Sequence, residues 1–181
     1  MNTVYSRRST GPGGIPNVIF ALLVANGLIF ALQQLAFEFM MLNFALWPAT
    51  HPQSPFALWQ LLTYGFLHGG LTHIAFNMFG LWMFGRDLER LMGPQRFLTY
   101  YMTCVIGAGI IQLIVVELQG GVYPTLGASG GLFGILPVAL HDRVAAGADI
   151  ARGSDRNDFA MLVDDLHLKV RAGAYDRLDP F

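Results

Sequence analysis

Long runs without any charged side chain are the feature of this 181-residue sequence that most constrains its fold. The first run covers residues 18–37, and Arg7 and Arg8 precede it. A helix of this length is roughly 30 Å long, which matches the hydrocarbon thickness of a bilayer. We therefore predict a transmembrane helix. A cleaved signal peptide is the competing interpretation, but its apolar core is shorter and a small-residue cleavage site would follow it.

Three further apolar runs predict three more transmembrane helices, at about residues 71–84, 97–116 and 125–140. The predicted fold class is therefore all-α, a polytopic helical membrane protein with four helices in a bundle and a polar C-terminal tail. Only 13% of the residues are charged, about half the usual fraction for soluble domains. The single cysteine, Cys104, lies in an apolar run, so it is interpreted as a small buried side chain.

The positions of the basic residues predict the orientation of the spans. Residues 1–17 are interpreted as a flexible arm, residues 58–68 as a short interfacial piece and residues 86–96 as a compact charged loop. With a cytoplasmic N-terminus, all 11 Lys and Arg residues lie inside, and the two outer loops, 38–57 and 117–126, hold none. We therefore expect an integral protein of a plasma or inner membrane with both termini in the cytoplasm.

The character of the sequence changes after Leu140. Residues 141–181 carry 14 charged residues, and no run among them could span a bilayer. Apolar residues at helical spacing predict a short amphipathic helix near residues 157–172. The net charge of −1 gives no reason to expect a nucleic-acid partner.

Polar side chains inside predicted spans are candidates for function because they are costly there unless paired. His73 and Asn77 are four residues apart and share one face of the second span, with His68 near its entrance. They either bond to a neighbouring helix or donate to an oxyanion. Ser129 begins the fourth span among glycines that let another helix come close, and it is either packing filler or a nucleophile.

Neither a metal ion nor a cofactor is expected. His68 and His73 have no carboxylate or thiol nearby in the sequence to complete a metal site. The other amides in the predicted spans are interpreted as packing groups or helix-to-helix hydrogen bonds: Asn26, Gln33, Gln34 and Gln112.

Two motifs, in this order along the chain, resemble those of the rhomboid family of intramembrane serine proteases. They are the spacing His68-x4-His73-x3-Asn77 and the run Gly127-Ala128-Ser129-Gly130. Four more residues fit the family's pattern: Glu89, Arg90, Gly93 and Gln112. The resemblance covers about residues 18–140, and the family's usual Trp-Arg pair reads Trp59-Gln60 here.

The resemblance implies that Ser129 is the nucleophile and that His73 and Asn77 are oxyanion-hole side chains. His68, Gly127 and Gly130 would support them. It also implies cleavage of other membrane proteins at or near a transmembrane segment, in a cavity that admits water from outside. The expected partners are transmembrane protein substrates and the lipid bilayer.

The family's general base, a histidine on a sixth span, has no counterpart in this sequence. His141 is about 18 Å from Ser129 along the same predicted helix, and His167 lies in the charged tail. A serine hydroxyl without a base is a weak nucleophile. We therefore expect a C-terminally truncated or frameshifted form, in which residues 141–181 follow a break in the reading frame. Its uncovered helix faces would favour self-association.

Three functions remain open from the sequence. The first is an intramembrane serine endopeptidase, and the second is an inactive relative that binds transmembrane clients without cleaving them. The third is a soluble hydrolase, because residues 127–131 also satisfy the pattern G-x-S-x-G. That pattern needs a strand before the serine, which four apolar spans argue against.

Overall fold

The computed structural model describes residues 14–52 and 56–141. The chain divides into two units, Met1–Ala139 and Leu140–Phe181, and the architecture below is that of the first, together with residues 140 and 141 at the end of its last helix. Most of the predicted flexible arm and the predicted amphipathic helix at 157–172 lie outside the described residues.

The described part of the chain is helical, as predicted. Its α-helices are α1 (Asn17–Leu35), α2 (Phe37–Phe44), α3 (Gln60–Thr63), α4 (Leu71–Gly80), α5 (Arg86–Met92), α6 (Pro94–Leu118) and α7 (Ser129–His141). A 3₁₀ turn at Tyr64–Phe66 follows α3, and a π-helical turn at Leu81–Gly85 joins α4 to α5. By length and composition α1 and α6 can cross a membrane, while α7 is a shorter apolar helix. The count of four spans stays a prediction.

Two predicted loops are partly helical, and the reason is burial. α5 occupies most of the predicted charged loop at 86–96, and α2 opens the predicted loop at 38–57. In α5, Leu88 is fully buried and Glu89 is 4% exposed, so the charged run is amphipathic and packs on the rest of the unit. α7 begins at Ser129, four residues after the predicted start of the fourth span.

The carboxylate of Glu89 joins α5 to the beginning of α1. Its two oxygens accept hydrogen bonds from the backbone N–H groups of Val18, at 3.0 Å, and Ile19, at 2.8 Å. These donors belong to the first turn of α1, where no capping side chain of its own satisfies them. The helix dipole also favours a negative charge at this position. The neighbouring Arg90 donates to the carbonyl of Gly14 at 3.2 Å.

Glycines bring α7 into close contact with α6. A Cβ placed on Gly131 would lie 2.5 Å from a ring carbon of Tyr101, and one on Gly134 would collide with Sγ of Cys104. A Cβ on Gly130 would lie 2.8 Å from Cβ of Ala108, which, like Tyr101 and Cys104, belongs to α6. These three glycines therefore face α6, the third predicted span. The sequence predicts that these glycines let another helix come close, and α6 is that helix.

Gly134→Val tests this packing. We expect it to destabilise the protein by roughly 1–3 kcal/mol, because the added methyl groups must displace the backbone of α6. Thermal unfolding in detergent measures the effect. Gly107→Val is the matched control, since a Cβ at Gly107 of α6 meets nothing within 4 Å. Ser129→Ala should also have a smaller effect than Gly134→Val. Equal melting temperatures for all three variants would contradict the packing argument.

Candidate active site

The imidazole of His73, in the first turn of α4, lies beside the backbone that leads to Ser129. A Cβ placed on Gly127 would lie 2.7 Å from Nε2 of His73 and 3.7 Å from Oγ of Ser129. The imidazole and the hydroxyl are therefore both near the side of Gly127 on which a side chain would project, and a side chain there would collide with the imidazole. The φ angle of Gly127 is +118°, which also favours glycine at this position.

The hydrogen bond that His73 accepts defines its tautomer. Its Nδ1 accepts from the backbone N–H of Gly69 at 3.2 Å. A neutral imidazole has one ring proton, so a nitrogen that accepts a hydrogen bond leaves the proton on the other nitrogen. The proton is therefore on Nε2, the nitrogen that lies beside Gly127. In this tautomer His73 is a hydrogen-bond donor at the site and not a base toward the serine.

Asn77 lies one turn after His73 on the same face of α4 and is 4% exposed. Its amide nitrogen donates to the carbonyl of His73 at 2.9 Å. An amide has two N–H donors, and this bond within the helix uses one of them. The predicted pair of donors thus lies on one helix face.

His68 lies in the connection between the 3₁₀ turn and α4, outside the helix, and is fully buried. Its ring packs edge-on against the ring of His73, with centroids 5.2 Å apart and an interplanar angle of 66°. This contact restricts the plane of the His73 imidazole. His68 therefore supports His73 by packing.

Gln33 of α1 holds the backbone of His68 at two points. Its Oε1 accepts from the N–H of His68 at 3.0 Å, and its Nε2 donates to the carbonyl of His68 at 2.8 Å. Gln33 thus bonds beyond its own helix, but to the backbone of a connection and not to a second helix. The amides of Asn26 and Gln34 instead donate to carbonyls one turn earlier in α1.

The backbone before Ser129 is fixed by two other segments. Thr125 and Leu46 exchange both of their backbone hydrogen bonds, at 2.9 and 3.0 Å. The N–H of Gly127 donates to the carbonyl of Tyr64 at 2.9 Å. Ser129 is partly exposed and begins α7, where the helix dipole favours a developing negative charge.

The residues that support the site from a distance were missed by sequence reasoning. The sequence predicts for Gln33 only a helix-to-helix hydrogen bond, and its actual partner lies 35 positions away. Gln60 is buried, and its Oε1 accepts from the N–H of Trp47 at 3.1 Å. A buried amide among apolar residues is the signal that could have found both. In residues 14–52 and 56–141, the structure brings together no group of three His, Cys, Asp or Glu side chains suited to a metal ion.

A family model for the rhomboid domain matches residues 55–151, more than half of the chain. The chain belongs to the rhomboid family. The match includes His68, His73, Asn77 and Ser129, and it runs past Leu140 into the predicted polar tail. Membership, together with the apolar helices α1 and α6, makes this rhomboid an integral membrane protein.

Several curated proteins resemble this rhomboid. Rhomboid protease GluP of Bacillus subtilis is 40% identical over 83 residues, which cover 46% of this chain and 15% of that protein. Putative rhomboid protease YdcA of the same organism is 40% identical over 83 residues, covering 45% of this chain and 40% of that protein. Rhomboid protein 1, mitochondrial, of Saccharomyces cerevisiae is 32% identical over 124 residues, covering 66% of this chain and 35% of that protein. The chain thus spans less than half the length of each of these relatives.

Burial of His68 predicts a pH dependence of stability. Burial, with a smaller contribution from the neighbouring His73, lowers the pKa of His68 to about 4. Between that pH and the ordinary histidine pKa of about 6.5, the unfolded chain binds a proton that the folded protein does not. The free energy of unfolding should therefore fall by about 3 kcal/mol as the pH falls through this range.

Comparison with His68→Phe isolates this contribution. The variant keeps an aromatic ring against His73 but cannot titrate, so its stability should fall less between pH 6.5 and 4. Equilibrium unfolding in mixed micelles at several pH values measures both proteins. Parallel stability profiles for the two proteins would contradict the prediction.

Proposed function

We propose that this rhomboid is an intramembrane serine endopeptidase that cleaves membrane proteins at or near a transmembrane segment. Oγ of Ser129 attacks the scissile carbonyl, and the Nε2–H of His73 and the second N–H of Asn77 stabilise the oxyanion that forms. The observation that carries this proposal is the geometry of His73. Its Nδ1 is occupied by Gly69, while Nε2 lies beside the same glycine as Oγ of Ser129.

The attack needs an acceptor for the proton of the Ser129 hydroxyl. In the tautomer inferred for His73 the proton is on Nε2, so His73 supplies a hydrogen-bond donor and not a base. Among residues 14–52 and 56–141 we assign no general base. We further propose that both termini are cytoplasmic, so that Ser129, which follows the predicted outer loop, opens to the outer side.

The same tautomer favours a second candidate function. A site whose neighbouring imidazole donates to the serine is poorly equipped to activate it without another base. The second candidate is therefore a rhomboid that binds transmembrane clients without cleaving them.

A fluorophosphonate probe separates the two functions, because it reacts with an activated serine. We expect the folded chain in detergent to be labelled, and Ser129→Ala to abolish the labelling. His73→Phe should slow the labelling by about 100-fold, since removal of one oxyanion donor typically has an effect of this size. Ser154→Ala, which removes another serine of the chain, is the control and should label normally.

The opposite result has a defined meaning. If the folded protein is not labelled but binds a transmembrane peptide, the endopeptidase proposal is wrong and the client-binding function replaces it. Labelling that survives in Ser129→Ala would show that Ser129 is not the nucleophile.

A further inference from the structure

Gln33 is a polar side chain of α1 that reaches the candidate site through the backbone. It is fully buried and makes two hydrogen bonds to His68, one to its N–H and one to its carbonyl. The N–H can only donate and the carbonyl can only accept, so these partners determine the orientation of the Gln33 amide. The amide therefore holds the backbone of His68 at two fixed points.

The carbonyl of His68 belongs to the same peptide unit as the N–H of Gly69. A peptide unit is planar, with its C=O and N–H pointing in opposite directions. Holding the carbonyl therefore also fixes the direction of the N–H, which donates to Nδ1 of His73 at 3.2 Å. An unbroken series of hydrogen bonds runs from Nε2 of Gln33, through one peptide unit, to the imidazole of His73.

The local sequence gives this peptide unit little constraint of its own. Gly69 and Gly70 follow His68, and glycine is the residue whose backbone rotates most freely. Gly69 is also exposed, so water can compete for its N–H. The direction of the Gly69 N–H therefore depends on an outside partner, and Gln33 is the side chain that holds the opposite end of the unit.

We propose that Gln33 is a positioning residue that sets the tautomer of His73. By holding the peptide unit between His68 and Gly69, it keeps the N–H of Gly69 donating to Nδ1 of His73. The ring proton of His73 therefore stays on Nε2, near Gly127 and Ser129. The catalytic consequence rests on the proposed function, in which Nε2–H stabilises the oxyanion. The tautomer itself does not depend on that function.

Gln33→Met is the test, because methionine has a similar length but neither donates like an amide nor accepts strongly. Gln34→Met is the matched control, since the neighbouring Gln34 bonds only weakly, at 3.4 Å, to a carbonyl of its own helix. The readout is the set of ¹⁵N chemical shifts of the histidine rings in the full chain. They are recorded in detergent, at a pH at which free imidazole is neutral, and the signal of His73 is identified by its loss in His73→Phe.

In the wild-type chain and in Gln34→Met, we expect His73 to be protonated at Nε2 and unprotonated at Nδ1. In Gln33→Met we expect a mixture in which Nδ1–H is plainly detectable. A folded Gln33→Met with a wild-type His73 spectrum would overturn the proposal, and so would a wild-type chain with the proton on Nδ1. Should Gln33→Met not fold, Gln33→Asn, which is one methylene shorter, should give the same mixture, and an unchanged tautomer in it would overturn the proposal.

Probe labelling of the same proteins separates this proposal from the proposed function. A changed tautomer together with slower labelling of Ser129 in Gln33→Met supports both. A changed tautomer in a chain that is never labelled supports the role of Gln33 and overturns the endopeptidase. An unchanged tautomer overturns the role of Gln33 whatever the labelling shows.

Discussion

Backbone N–H and C=O groups that lie outside helices must find their hydrogen-bond partners elsewhere in the protein, and the site depends on this constraint. Two such stretches form the site, one before α4 and one before α7. In the first, the backbone of His68 bonds to Gln33 and the N–H of Gly69 bonds to His73. In the second, the backbone of Thr125 pairs with Leu46, and the N–H of Gly127 donates to the carbonyl of Tyr64. The bonds that make the unwound backbone tolerable therefore also place the candidate catalytic groups.

The segment between α2 and α3 belongs to the same system. Leu46 pairs with Thr125, while the next residue, Trp47, donates its N–H to Gln60. Gln60 stands where the rhomboid resemblance leads one to expect arginine, a side chain that cannot accept a hydrogen bond. Here the accepting oxygen of the amide is what holds Trp47. The position of the segment between α2 and α3 therefore bears directly on the backbone before Ser129.

The sequence predicted the local features of the site and missed the features that depend on distant partners. The common face of His73 and Asn77 follows from a spacing of four in a helix, and Ser129 lies at the start of a helix as expected. Spacing could not show that the amide of Gln33 bonds to a peptide unit 35 positions away. Nor could it show that the glycines after Ser129 meet α6, because several helices could have filled that space.

The prediction of a loop at 86–96 is wrong for a related reason. Charge density was interpreted as a loop, but Glu89 satisfies two N–H groups at the start of α1 and is therefore buried with Leu88 in a helix. The cost of burying a carboxylate depends on its partners, and a linear sequence does not display them. α1 and α6 instead cover uninterrupted apolar runs, which need no particular partner to form a helix.

The geometry of His73 also bears on whether the protein cleaves or only binds. One ring nitrogen cannot donate to an oxyanion and accept the serine proton at the same time, so a protease with this arrangement divides the two tasks between different groups. A preformed donor contributes to catalysis because it needs no reorganisation when charge develops. A protein that only holds transmembrane clients gains nothing from a donor near the hydroxyl of Ser129. The orientation of His73 therefore supports the proposed endopeptidase only together with a different group that accepts the serine proton.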